Sequence, residues 1–111
     1  MTIRYKSNTF DLTTSNLTTI LTCPSDATII IKSLQASHKT ASNVDVDVYL
    51  RKSGGSDVEI SHAELNKEFI NMVVSSLNME ASDILKIQAQ TANTITGVVS
   101  YALIDRSQEN G

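Results

Sequence analysis

The sequence predicts an all-β protein, an antiparallel β-sandwich of about eight strands with a jelly-roll or immunoglobulin-like arrangement. Apolar and polar residues alternate with period two in several segments, as half-buried strands require. Turn residues recur between these segments at nearly regular spacing, and no segment has strong helical periodicity. The connections are too short for crossover helices, which excludes a parallel sheet.

The chain has 111 residues, 41% of them hydrophobic, which suits one domain with an aliphatic core. We expect residues 1–105 to form a single β-sandwich domain. Residues 106–111 are polar and lack periodicity, so we expect them to be a flexible C-terminal tail.

The first predicted strands lie on either side of the turn Pro24-Ser25-Asp26. The segment Asn16 to Thr22 is rich in threonine and leads into this turn. The segment Thr28 to Ser37 follows it and opens with a β-branched run, which is typical of a strand covered on both faces. The two segments are predicted to pair as a hairpin.

A second hairpin is predicted around the turn Ser53-Gly54-Gly55-Ser56. In Asn43 to Lys52 an apolar row, Val44, Val46, Val48 and Leu50, occupies one face. Asp57 to Ser61 returns with Val58 and Ile60 in register. The next segment, Ser61 to Phe69, is compatible with a short helix, since Ser61 and Glu64 have the spacing of a capping box, and equally with a connecting loop.

The C-terminal third is predicted to contain three strands. Asn71 to Met79 forms one. Ile84 to Thr91 places Leu85, Ile87 and Ala89 on one side, and the turn Ala92-Asn93 follows. Thr94 to Asp105 is apolar on both faces around Gly97, as expected of a central strand with a bulge or a close backbone contact.

Charge and cysteine content narrow the possible partners and the compartment. A net charge of -3 offers no basic patch for nucleic acid. The first residues carry Arg4 and Lys6 and no apolar run, so we expect no signal peptide, and no segment is long enough to cross a membrane. Cys23 is the only cysteine, which excludes an intrachain disulfide and suggests synthesis in a reducing compartment. We expect it to be a small buried side chain rather than a reactive thiol.

The residues that could carry chemistry do not form a recognisable pattern. His38 and His62 are far apart in sequence and are interpreted as surface histidines. Asp45 and Asp47 lie on an extended strand, which cannot converge oxygen ligands as a calcium loop does. Gly54-Gly55 lacks the lysine and helix of a phosphate-binding loop. We therefore expect no catalytic, cofactor-binding or metal-binding residues, and no enzymatic activity.

Serine, threonine, asparagine and glutamine crowd the outward strand positions, for example in Thr13 to Thr22 and Ile84 to Thr91. Flat, uncharged surfaces of this kind suit repeated contacts between subunits. They also suit plain exposure to solvent, and the sequence alone leaves both interpretations open.

Several segments resemble a group of short virion structural proteins of tailed bacteriophages, of the marine and cyanobacterial phage type. The segments are Asp11 to Thr14, Thr19 to Ser25, Ala27 to Leu34, Ala81 to Ala89 and Val98 to Ile104. The resemblance covers nearly the whole chain and implies a small β-sandwich without catalytic residues. Ser61 to Asn71 departs from it, being more charged than the group's small-residue loop.

The resemblance implies a capsid decoration or cement subunit that acts by protein–protein contacts with other virion proteins. It would be made in the host cytoplasm and is expected to be a homo-oligomer, for instance a trimer. A neck, tail, baseplate or fibre-attachment component is the alternative within the particle. A stand-alone carbohydrate-binding module is the alternative of another class, although the aromatic residues that could stack on sugars are few: Tyr5, Phe10, Tyr49, Phe69 and Tyr101.

Overall fold

The computed structural model describes residues 2–38, 44–65, 71–74 and 76–106. These ranges contain nine β-strands and no helix. The strands are β1 (Thr2–Leu12), β2 (Thr18–Thr22), β3 (Ala27–His38), β4 (Val44–Arg51), β5 (Asp57–Leu65), β6 (Asn71–Val74), β7 (Leu77–Met79), β8 (Ile84–Ala89) and β9 (Ile95–Asp105). The predicted all-β fold is confirmed.

Two antiparallel sheets form the sandwich. The first has the order β1-β9-β3-β6, with β7 also paired to β3, and the second has the order β2-β8-β4-β5. β6 and β7 pair with different parts of β3 and so share one position, which gives four strand positions in each sheet. The strand pairs are nested in one another, as in a long hairpin folded over on itself: β1·β9, β2·β8, β3·β6/β7 and β4·β5. This strand order is that of a jelly roll rather than of an immunoglobulin domain.

The core between the sheets is almost entirely aliphatic. β4 contributes Val46 and Val48, β8 contributes Leu85 and Ile87, and β9 contributes Val99, all with 0% exposure. The alternation predicted for β4 and β8 is confirmed, because their apolar rows face the opposite sheet.

The connection at Pro24-Ser25-Asp26, predicted to be a hairpin, joins different sheets instead. β2 pairs with β8, and β3 pairs with β9, so Pro24 and its neighbours carry the chain from the second sheet to the first. The turn at Ala92-Asn93 likewise connects β8 in one sheet to β9 in the other, so the closing hairpin that the resemblance to phage proteins implies is absent there. A turn motif specifies a reversal but not which strands pair across it, and the hairpin predicted at Pro24-Ser25-Asp26 is therefore wrong. The β4–β5 hairpin is confirmed.

β3 lies inside its sheet but has only one covered face. Ile29 and Ile31 are 1% exposed, whereas Ile30 between them is 38% exposed on the outer face. The prediction that both faces are covered was wrong, because a three-residue isoleucine run does not reveal that no layer packs outside the sheet.

The helix and the connecting loop considered for Ser61 to Phe69 are both wrong in the part that the structure describes. β5 continues as a strand to Leu65, which is fully buried, and 66–69 lie outside the described residues. Val58 and Ile60 were predicted to lie in register with the apolar row of β4, on the core side. They are instead 58% and 39% exposed, so neither contributes to the core. A bulge opposite Val48 and Tyr49 displaces Ile60 from the ladder.

The remaining predicted strands are confirmed with two adjustments. Asn71 to Met79 is divided into β6 and β7. β9 is a central strand, and Gly97 is the site of the predicted close contact: a Cβ atom there would collide with the carbonyl oxygen of Gln35 and the ring of Phe10. Of the predicted tail, Arg106 donates its amide hydrogen to the carbonyl of Asp26 (2.8 Å), and 107–111 lie outside the described residues.

β1 was not predicted by alternation, although it pairs with β9 along its whole length. Residues 2–9 are exposed on both faces, and only at Leu12 does the strand enter the core. β1 is therefore a free edge of the first sheet that extends beyond the cover of the second.

Candidate functional site

The two histidines lie in different sheets and in opposite environments. His38 ends β3 and is 6% exposed, so its interpretation as a surface residue was wrong. Neither of its ring nitrogens has a hydrogen-bond partner among the described residues. His62 is exposed on β5, as predicted. No shared site therefore brings the two imidazoles together.

Cys23 is buried at the sheet-to-sheet connection, as predicted, with 1% exposure. Its thiol donates to the carbonyl of Ala27 (3.3 Å). Burial raises the pKa of the Cys23 thiol, which leaves it protonated near neutral pH and unreactive.

Asp83 forms a polar corner that joins three turns. Its side chain, 1% exposed, accepts hydrogen bonds from the amides of Ser53 (3.2 Å) and Glu80 (2.9 Å) and forms an ion pair with Lys52 (2.5 Å). Its carbonyl accepts the amide hydrogen of Cys23 (2.9 Å). Burial alone would raise the pKa of Asp83, but the hydrogen bonds from Lys52 and the two amides outweigh it and hold the pKa below its ordinary value. These bonds all serve to hold loops together, so we interpret Asp83 as structural.

An open cleft of about 750 Å³ lies beside this corner, between residues 25–28 and the Glu80-Ala81 turn. Asp26, Glu80 and Arg106 line it, but no histidine or cysteine does. Asp26 and Glu80 contribute carboxylates to the described lining, and Arg106 contributes a guanidinium group.

The outer face of the β4–β5 hairpin carries a histidine and two carboxylates. Asp47 and His62 are direct cross-strand neighbours, and the His62 Nδ1 is hydrogen-bonded to the Asp47 Oδ1. Glu59 lies beside them, and one ligand atom from each of the three residues lies within 4.8 Å of the others. The sequence prediction considered Asp47 only with Asp45 on its own strand. The association of Asp47 with His62 and Glu59 was missed because the strand register that joins them was not known.

The outer face of the first sheet is the most apolar exposed surface in the described part of the chain. Tyr5, Ala102 and Ile30 are adjacent across β1, β9 and β3, and Ile3 lies beside Ile104 on the same face. Tyr5 is 74% exposed and Ile3 50%, whereas Ala102 is covered by its neighbours. We call Ile3, Tyr5, Ile30, Ala102 and Ile104 the outer apolar patch.

The aromatic side chains do not form a sugar-stacking platform in the described residues. Tyr101 is 6% exposed, and Phe10 and Tyr49 are partly buried, while Phe69 lies outside the described residues. Tyr5 alone among the described aromatic residues is exposed, and the Nζ of Lys32 lies 5.0 Å from the centre of its ring. A sugar that stacked on the same face of this ring would compete with the lysine.

No protein-family model matches the chain, and no curated protein matches its sequence significantly. The described residues include no helix long and apolar enough to cross a membrane. Function therefore has to be inferred from the fold and the surface.

Two solved structures share the fold over nearly the whole chain. A chain of the acidic stable capsid structure of Helicobacter pylori bacteriophage KHP30 is similar with a TM-score of 0.60 and 11% identity, covering 96% of this chain and 90% of that one. A chain of the disulfide-linked pili formed by Bacillus endospore appendages has a TM-score of 0.54 and 13% identity, covering 95% and 88%. At these identities the likeness establishes the jelly-roll fold alone.

Proposed function

We propose that the protein is a structural subunit of a bacteriophage particle, and within it a decoration or cement subunit of the capsid. The observation that carries the proposal is the similarity to a phage capsid chain over 96% of this chain and 90% of that one, which leaves little of either outside the shared domain. The resemblance of the strand and turn segments to short virion proteins agrees with it. The second structural neighbour, from endospore pili, is also part of a repeated assembly.

The surface of the domain supports a role in contacts between proteins rather than in catalysis. The outer apolar patch would lose water on association, and large exposed apolar side chains are typical of binding surfaces. We propose that the protein is not an enzyme and that its partners are other virion proteins rather than nucleic acid or membrane.

The charges at the two edges of the sandwich favour association of identical copies. β1 carries Arg4 and Lys6 at one edge, while the outer face of β4 and β5 carries Asp45, Asp47 and Glu64 at the other. Edges of opposite sign can meet head to tail, and such a heterologous contact gives a ring, for instance a trimer, when the rotation between successive copies closes.

Mass spectrometry of purified particles from the phage that encodes the chain tests the proposal. We expect the protein in the particles, at a copy number comparable with that of the major capsid protein. Its absence from the particles would refute a virion role altogether. A few copies per particle would instead support a neck, tail, baseplate or fibre-attachment component.

Light scattering on the purified chain tests the homo-oligomer. We expect an oligomer that dissociates as salt is raised and that is lost in Lys6→Glu. A monomer at every salt concentration would contradict head-to-tail association without bearing on the presence of the protein in the particle.

A further inference from the structure

The cluster of Asp47, Glu59 and His62 depends on an irregularity of β5. Residues 59 and 62 are three positions apart, and in a regular strand their side chains would point to opposite faces of the sheet. Here Asp47 pairs with His62 and Tyr49 pairs with Glu59, so that Ile60 and Ser61 together span the interval opposite Val48. The extra residue places Glu59 on the same face as His62. Bulges that redirect a side chain in this way are common next to functional sites.

The three side chains are arranged as a set of metal ligands. One imidazole nitrogen and two carboxylate oxygens lie within 4.8 Å of one another, a spacing that one ion in their midst could bridge. All three come from the two strands of one hairpin, whose backbone pairing fixes their relative positions. The Asp47 side chain is 27% exposed and that of His62 58%, so an ion can enter from solvent.

The charges of the cluster also favour a cation. Asp47 and Glu59 place two carboxyl groups together beside the imidazole of His62. On the neighbouring strand β8, Lys86 is ion-paired with Asp57 (3.0 Å). A bound divalent ion would neutralise the carboxylates of Asp47 and Glu59.

We propose that Asp47, Glu59 and His62 form a binding site for Zn²⁺. A nitrogen ligand with two carboxylates suits zinc, which accepts histidine and carboxylate ligands in tetrahedral geometry. Magnesium and calcium prefer oxygen ligands and larger coordination numbers, which this site does not supply. Three protein ligands leave one position of the tetrahedron open to water on the exposed face of the sheet.

Calorimetric titration of the full, tag-free chain with ZnCl₂ in metal-free buffer tests the proposal. We expect one Zn²⁺ per chain and no binding of Mg²⁺ under the same conditions. His62→Asn and Glu59→Gln should each weaken zinc binding by about tenfold or more, since each removes a ligand. These side chains are exposed, and circular dichroism will verify that the variants remain folded.

Glu64→Gln is the matched control, because it removes one carboxylate from the outer face of the same strand but outside the cluster. It should leave zinc affinity unchanged. In the NMR spectrum of the wild-type chain, the His62 ring resonances should shift on addition of zinc while those of the buried His38 do not. Absence of binding at millimolar Zn²⁺, or equal affinity in His62→Asn, Glu59→Gln and the wild type, would overturn the proposal.

Discussion

Replacement of Asp83 by alanine offers the most direct test of how the jelly roll is held at its turns. The carboxylate accepts two backbone amide hydrogens, from Ser53 and Glu80, and an ion pair from Lys52. In Asp83→Ala both amides lose their acceptor at a site where the native carboxylate is 1% exposed. The β4–β5 turn and the turn before β8 would then keep the ion pair between Lys52 and Glu80 (3.7 Å) but lose the carboxylate that joins them.

The size of the effect follows from the two amides. A hydrogen bond to a charged group contributes about 1.5–3 kcal/mol, and water entering the space left by the carboxylate will recover part of this. We therefore expect Asp83→Ala to lower the free energy of unfolding by about 3 kcal/mol. For a chain of 111 residues this corresponds to a fall in Tm of about 12 °C.

Urea unfolding followed by circular dichroism at pH 7 measures this difference. Lys52→Met is the comparison variant, because it removes the ion pair but leaves both amide hydrogen bonds to the Asp83 carboxylate in place. We expect a much smaller loss in Lys52→Met than in Asp83→Ala. If the two losses are equal, or if Asp83→Ala unfolds at the same urea concentration as the wild type, the amide hydrogen bonds do not have the importance assigned to them.

The lowered pKa of Asp83 adds a pH dependence of known sign. A carboxyl group whose pKa is lower in the folded state stabilises the fold above its unfolded pKa, about 3.9, and the stabilisation is lost as the pH falls through the folded value. Asp83→Asn cannot titrate at this position. The stability difference between wild type and Asp83→Asn should therefore be constant above about pH 5 and shrink as the pH falls below about 4. A difference that stays constant down to pH 2 would contradict the lowered pKa.

Three further substitutions test packing by the same urea measurement. Gly97→Ala should lower the free energy of unfolding by about 3 kcal/mol, because the new methyl group would meet the backbone carbonyl of Gln35, and a neutral result would mean that β3 and β9 separate easily. Leu34→Ala should cost about 3 kcal/mol through the cavity left at a fully buried position, and a loss under 1 kcal/mol would point to a core that collapses around it. His38→Leu should instead raise the free energy of unfolding by about 1 kcal/mol, since it removes two buried nitrogens without partners among the described residues. A large decrease in the free energy of unfolding would reveal a hydrogen-bond partner for the ring.

The sequence predicts the strands that have one face in the core and misses those that do not. β4 and β8 alternate because one face packs on the opposite sheet, so their buried rows can be named from the sequence. β1 has almost no such face, since residues 2–9 are exposed on both sides, and its sequence has no periodicity to detect. Backbone pairing with β9 holds this strand in the sheet, and backbone pairing leaves no mark on the side-chain pattern.

Strand order is a second property that alternation cannot supply. β1 pairs with β9 and β2 with β8, so strands near the two ends of the sequence pair with each other rather than with their sequence neighbours. The turn Pro24-Ser25-Asp26 was predicted to form a hairpin because short turns between strands most often connect hairpin partners. In this fold the same turn connects the two sheets. The choice between a jelly roll and an immunoglobulin domain therefore depends on which distant strands pair, which the sequence pattern does not show.

The zinc ligands depend on both kinds of missing information. Asp47 and His62 are 15 positions apart and meet only through the register of the β4–β5 hairpin. The sequence predicts this hairpin, but with Ile60 in register, which corresponds to a ladder without a bulge. In such a ladder Glu59 would lie on the face opposite His62. The bulge at Ile60 reverses this, at the cost of leaving an isoleucine 39% exposed. Folding alone does not require a bulge that exposes an isoleucine and brings a carboxylate beside a histidine. Irregularities of this kind are expected at functional sites, and this one therefore suggests an ion at the β4–β5 hairpin.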